Sequence, residues 1–162
     1  MNFEEYIKDN RIEFTEKVNN ICAELRIEAN WLMFVMWFES KLNPQAVNPI
    51  SGATGLIQFM PSTARGLGTT TAVLKRMSNV QQLDYVSAYL RPYKGRMKRW
   101  VDVYLAVFYP KAMGKPGFVI TSDIVAKQNK IFDLNKDLDI SVKEIETVLR
   151  RQIPEKYKAY YL

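Results

Sequence analysis

Residues Trp31–Phe38, "WLMFVMWF", are apolar without a break. A helix that is apolar on every side has no face to give to water, so it must run through the middle of a folded core. The run is too short to span a bilayer, which takes about 20 such residues. It ends on Glu39, a carboxylate set directly against that wall. In a helix, Val35 and Met36 lie one turn back from Glu39 and share its face. Loss of water there disfavours the charged carboxylate and raises its pKa. A carboxyl that keeps its proton near neutrality can protonate a leaving oxygen, the general-acid task in glycoside cleavage. The competing reading is a glutamate at a helix end, solvated or bonded to loop amides.

Around this segment the pattern is nearly all helical. Phe3, Tyr6, Ile7, Phe14, Val18, Ile21, Cys22 and Leu25 recur mostly at threes and fours, which predicts one or two amphipathic helices. Asn30 is placed to cap the central helix, over about 30–42, and Asn43-Pro44 to stop it. Residues 43–60 read as loop, with at most a short strand or hairpin in "GLIQF". Pro61 suits a first helical position. Further helices are expected over 70–77, 79–90 and 97–109, and a last one from near Ser141 with Val142, Ile145, Val148 and Leu149 on one face. No repeat or linker interrupts the 162 residues, and 48% of them are hydrophobic, enough for one globular domain with a real core.

Composition excludes several chemistries. The chain has no histidine, so Ser-His-Asp and Cys-His nucleophiles and His-ligated zinc are ruled out. Cys22 is the single cysteine; it can form no intramolecular disulfide and is expected as a small buried apolar group. The N-terminal stretch is charged throughout, unlike a signal peptide, and no membrane span is expected. The net charge of +6 favours anionic partners: nucleic acid, anionic lipid or an acidic glycan such as a bacterial wall.

The residues after Glu39 narrow the choice. Glu39-Ser40, then "NPQA", then "SGATGLIQFMPSTA" closely resembles the catalytic core of lytic transglycosylases, muramidases of lysozyme-like architecture related to goose-type lysozyme. Gly55-Leu56-Ile57-Gln58-Phe59-Met60 stands where that family has its Gly-Leu-Met-Gln-Ile-Met-type stretch, and Tyr104–Pro110 resembles its Ala-x-x-Tyr segment. Departures are Pro110, where many members have Asn, and Ile57 and Phe59 in place of Met and Ile. The resemblance covers residues 30–115 firmly. It implies a mainly α, lysozyme-like single domain over 1–162, with a catalytic core at about 28–115 and an acidic loop and helix over 133–153 packed on it.

The resemblance also implies roles. Glu39 protonates the glycosidic oxygen between N-acetylmuramic acid and N-acetylglucosamine. It then acts as base while the muramyl C6 hydroxyl closes onto C1, giving a 1,6-anhydro end with assistance from the N-acetyl group and no cofactor. Ser40 steadies Glu39 or the N-acetyl group, Gln58 bonds a sugar, Phe59 and Met60 form apolar walls, and Tyr109 orients Glu39. The alternative roles are backbone bonding for Ser40 and core packing for Phe59, Met60 and Tyr109. Glycosidases with two carboxylates hold them about 5–10 Å apart. After Glu39 the next acids are Asp84 and Asp102, neither in a suggestive motif, which favours the one-acid transglycosylase over a hydrolytic muramidase.

Near the end, "DLNKDLDISVKE" puts Asp133, Asn135 and Asp137 at the first, third and fifth places of an EF-hand loop, with Asp139 seventh and Glu144 twelfth. These would bind a structural Ca2+; some phage and bacterial transglycosylases carry such a loop after the core. Leu138 holds the sixth place, where glycine is wanted for a positive φ. Ser141-Val142-Lys143-Glu144 equally reads as a capping box. "YLRPYKGRMKRW", Tyr89 to Trp100, mixes cations and rings as nucleic-acid binders do. A nucleic-acid module leaves the Glu-Ser and Gly-Leu-x-Gln pairing as coincidence, so no nucleic acid is expected. The reading is a monomer acting on peptidoglycan strands, and its charged start, size and basicity fit a phage or prophage protein reaching the wall in a virion or as an endolysin.

Overall fold

The computed structural model describes residues 1–161. The first long helix, α1 (Arg11–Leu25), buries Phe14, Val18, Ile21, Cys22 and Leu25 along one stripe. The apolar run becomes α2 (Ala29–Ser40), with every residue from Leu32 to Trp37 buried. Each such large side chain contributes about 1.5–3 kcal/mol on leaving water. α1 packs on α2 and on α5 (Asn79–Leu90). Two short helices, α3 (Pro61–Gly66) and α4 (Thr71–Arg76), lie between. Pro61 opens α3, as its fixed φ favours. Ser78 and Gln81 form a reciprocal capping box at the start of α5. The ring of Phe3 stacks on Trp37 at 4.9 Å, tying the N-terminal segment to α2.

The chain forms two compact units, Met1–Gly95 and Arg96–Leu162. In the second, α6 (Trp100–Phe108) is followed by strand β1 (Val119–Thr121), α7 (Asp123–Gln128), strand β2 (Asp139–Ser141) and α8 (Val142–Gln152). β1 and β2 pair antiparallel, with Ile120 opposite Ile140, both buried. Ser141 and Glu144 form the expected capping box of α8. Among the described residues no helix is long and apolar enough to cross a membrane.

The mainly helical class agrees with the sequence, and one local expectation is corrected. Glu28, not Asn30, precedes the central helix, and the Asn30 side chain instead accepts from the Asn2 N–H at 2.9 Å. The segment "GLIQF", read as loop with at most a short strand or hairpin, forms a turn and no named strand. Gly55 and Gln58 take φ +86 and +55, which break an extended chain, and only isolated bridges link Thr54 to Val47 and Phe59. The sheet lies in the second unit, where Val119–Thr121 pairs with residues of the acidic loop.

Candidate active site

Glu39 stands in the last turn of α2, half-buried. The structure gives it no hydrogen bond and no ion pair among the described residues. Its carboxyl is pushed up from the ordinary 4.5 to about 7, and loss of water is the cause. A group in that condition carries its proton near neutrality and has no internal acceptor competing for it.

The chain leaves α2 abruptly. Lys41 and Leu42 both take left-handed φ, +56 and +60, each at a cost of about 1–2 kcal/mol for a side-chain-bearing residue. The Lys41 ammonium sits 3.6 Å above the Trp37 ring, a cation–π contact that helps hold the turn. Burial also lowers the Lys41 pKa.

The Ser40 hydroxyl reaches two backbone carbonyls, Met36 O and Leu56 O, each at 2.9 Å. It does not bond Glu39 directly; it ties the end of α2 to the Gly55–Phe59 turn. That turn is closed by paired bonds between Thr54 and Phe59, at 3.0 and 2.9 Å. Gln58 Nε2 donates to Ala46 O and Gly55 O, which occupies its amide nitrogen with the loop itself. Its Oε1 accepts no bond among the described residues. Phe59 is buried, edge-on to Tyr89 with ring centroids 6.4 Å apart, and supports the turn from behind. Met60 is 45% exposed and has surface to offer a ligand.

Gln82, which the sequence reading passed over, is fully buried in α5 and holds this turn from the other side. Its Oε1 accepts from Leu56 N at 3.0 Å. The signal was there in the spacing: Gln82 lies four residues before Val86 and eight before Leu90, on the row that α5 buries.

In the second unit, Tyr109 ends α6 and its ring lies 6.1 Å from that of Phe118. Asp102 is buried, and its carboxylate accepts from the N–H groups of Lys98, Arg99 and Gly114, so it is committed to backbone. Asp84, in the first unit, is exposed and paired with Lys17 at 2.8 Å.

The acidic loop turns where calcium loops turn, with Leu138 at φ +68. Asp133 accepts from the N–H groups of Asp137 and Leu138, and Asp137 from that of Asp139. Asn135 bonds Asp137 side chain to side chain at 2.7 Å. Glu144 accepts from the Ser141 N–H and hydroxyl and from the Leu134 N–H. Its small burial acts to raise its pKa, but these bonds outweigh that and hold it below the usual carboxylate value. Among the described residues no three carboxylate, cysteine or histidine groups are gathered as an ion would need.

In the basic aromatic stretch, Trp100 is buried edge-on to Tyr161, Arg99 pairs with Glu146, and Arg91 pairs with Glu24. Stacking on bases would require free ring faces, so the packing gives no support to the nucleic-acid reading. Cys22 is buried, as expected of a small apolar group, and burial pushes its thiol up to about 12.

The sequence pattern of the Transglycosylase SLT domain matches residues 18–108, more than half of the chain, which therefore belongs to that family. It is in general terms a lytic transglycosylase of peptidoglycan, and its mainly helical fold accords with the lysozyme-like architecture of the family. The matched span contains Glu39, Ser40 and Gln58; Tyr109 falls one residue past its end. No curated protein and no solved structure matches the chain.

Proposed function

We propose that the chain cleaves the bond between N-acetylmuramic acid and N-acetylglucosamine with Glu39 as its one acid–base group, leaving 1,6-anhydro ends. The observation that carries this is the dehydrated, unpartnered carboxyl of Glu39, held protonated up to about pH 7. The proton passes to the glycosidic oxygen as the C1–O bond breaks. The carboxylate left behind takes the proton of the C6 hydroxyl as that oxygen bonds C1. Glu39 ends as it began, and no water is consumed. The N-acetyl group shields C1 in place of a second carboxylate. The commitments of Asp102 to backbone and of Asp84 to Lys17 support this over a two-carboxylate mechanism.

In this reading Gln58 Oε1 accepts a sugar hydroxyl, Met60 offers an apolar wall and Phe59 backs it, and Ser40 fixes the turn. Mass spectrometry of fragments released from purified walls tests the proposal. Anhydro ends, one water lighter than reducing ends, are expected. Reducing ends throughout would instead assign the hydrolytic muramidase reaction to the same site. A phage or endolysin setting fits a basic enzyme of this kind.

The residues of the acidic loop fit calcium in kind: Asp133, Asn135, Asp137 and Glu144 through side-chain oxygens and Asp139 through its carbonyl. The ion would be structural, because the Glu39 chemistry has no step for it. The left-handed Leu138 and the order of the oxygens support this assignment. Millimolar calcium should raise the melting temperature, since an ion that binds only the folded chain stabilises it. An unchanged melting temperature would reject the site.

A further inference from the structure

We propose that Gln82 is a positioning residue for the reaction: together with Ser40 it holds Leu56 by both N–H and C=O, and so fixes the Gly55–Phe59 turn against the end of the helix that carries Glu39. The proposal rests on Glu39 as the acid. A glutamine with no exposed surface is costly unless its polar atoms are all engaged. Those of Gln82 are engaged. Oε1 accepts from Leu56 N at 3.0 Å, and Nε2 donates to Leu74 O at 2.8 Å and Pro44 O at 2.5 Å. One amide thus joins the segment that follows α2, the turn, and α4. No apolar side chain could make those bonds.

The far side of Leu56 is held as well: the Ser40 hydroxyl, next to Glu39 in the chain, shares its one proton between Met36 O and the Leu56 carbonyl. The linkage runs from Glu39 through Ser40, Leu56 and Gln82 to Pro44, and returns along the chain to Glu39. Gly55 shows how tightly this ring is drawn: a Cβ there would lie 2.4 Å from Gln82 Oε1. Gln82 touches no substrate in this scheme. It acts by setting where the turn and the end of α2 stand relative to each other.

The test is Gln82→Met, of similar volume and without the amide. The kcat on purified walls should fall about 10- to 100-fold, as small misplacement of a reacting group does, with KM little changed. Hydrogen exchange at the Leu56 amide should accelerate while the amides of α1 and α2 keep their protection. Ser40→Ala releases the Leu56 carbonyl. If both residues act on one turn, the double variant loses less than the product of the two single losses, whereas independent effects multiply. A folded Gln82→Met with wild-type kcat, or with unchanged Leu56 exchange, overturns the proposal.

Should Gln82→Met fail to fold, Gln82→Glu carries the test. Its protonated carboxyl can still accept from Leu56 N and donate once. Activity and Leu56 protection should therefore persist at acidic pH and be lost together as the buried carboxyl ionises. Activity lost while Leu56 stays protected overturns the proposal. The exchange measurement needs no wall substrate, so a wild-type chain that clears no walls would overturn the enzymatic reading separately.

Discussion

Glu39→Gln is expected to abolish wall clearing, with a loss of about 10²–10⁴-fold, the range that a positioned acid–base group supplies. Glutamine keeps the shape of the side chain but cannot give up and retake a proton. The same substitution makes the fold more stable at alkaline pH. Dehydration raises the folded-state pKa of Glu39 from 4.5 to about 7, so between those values the folded chain binds more protons than the unfolded one. Stability then falls as pH rises through that window, by at most roughly 3 kcal/mol. Above it, wild type bears the full cost of a dehydrated charge and the glutamine variant bears none. Melting curves at acidic and alkaline pH should therefore converge for the two proteins at the acid end and separate at the alkaline end. The wild-type rate should follow the same titration, holding while Glu39 is protonated and declining above about pH 7. A variant that retains wild-type clearing removes Glu39 from the mechanism.

Gly55→Ala is expected to be the most damaging single-methyl change in the first unit. The residue sits at φ +86, and its new Cβ would meet Gln82 Oε1 at 2.4 Å and Gln82 Cδ at 3.0 Å. The left-handed backbone alone costs about 1–2 kcal/mol. The clash adds more, because Gln82 is bonded to three backbone groups and cannot step aside without leaving them unpaired in the core. Together a loss of about 2–4 kcal/mol is expected, or very roughly 5–15 °C in melting temperature for a chain of this size. Gly68→Ala is the matched control: its φ is +78 and nothing lies within 4 Å of the added carbon. The difference between the two variants isolates the contact with Gln82 from the backbone strain. Equal melting temperatures would mean that the turn does not rest on that amide.

What could be read from the sequence was mostly what neighbouring residues decide among themselves. The burial of Leu32 to Trp37 followed from an unbroken apolar run, and the dehydration of Glu39 followed from its position against it. The Ser141 capping box and the helix opened by Pro61 followed from three or four adjacent residues. What escaped depends on partners distant in the chain. Asn30 looked like a cap because nothing near it revealed that Asn2 would claim its side chain. Gln82 lies on the buried row of its helix, but its support of the turn depends on Leu56, 26 positions away in the chain. Residues 43–60 were legible as loop, but apolar content says nothing of the left-handed turns at Gly55 and Gln58. Val119–Thr121 was too short to announce itself as a strand before its pairing with Asp139–Ser141 was known.

The proton affinity of Glu39 is raised by dehydration alone, with no neighbouring charge contributing. Attraction or repulsion between charges fades as counterions accumulate, whereas exclusion of water does not. An acid tuned in this way keeps its working range whether its surroundings are a dilute medium or brine.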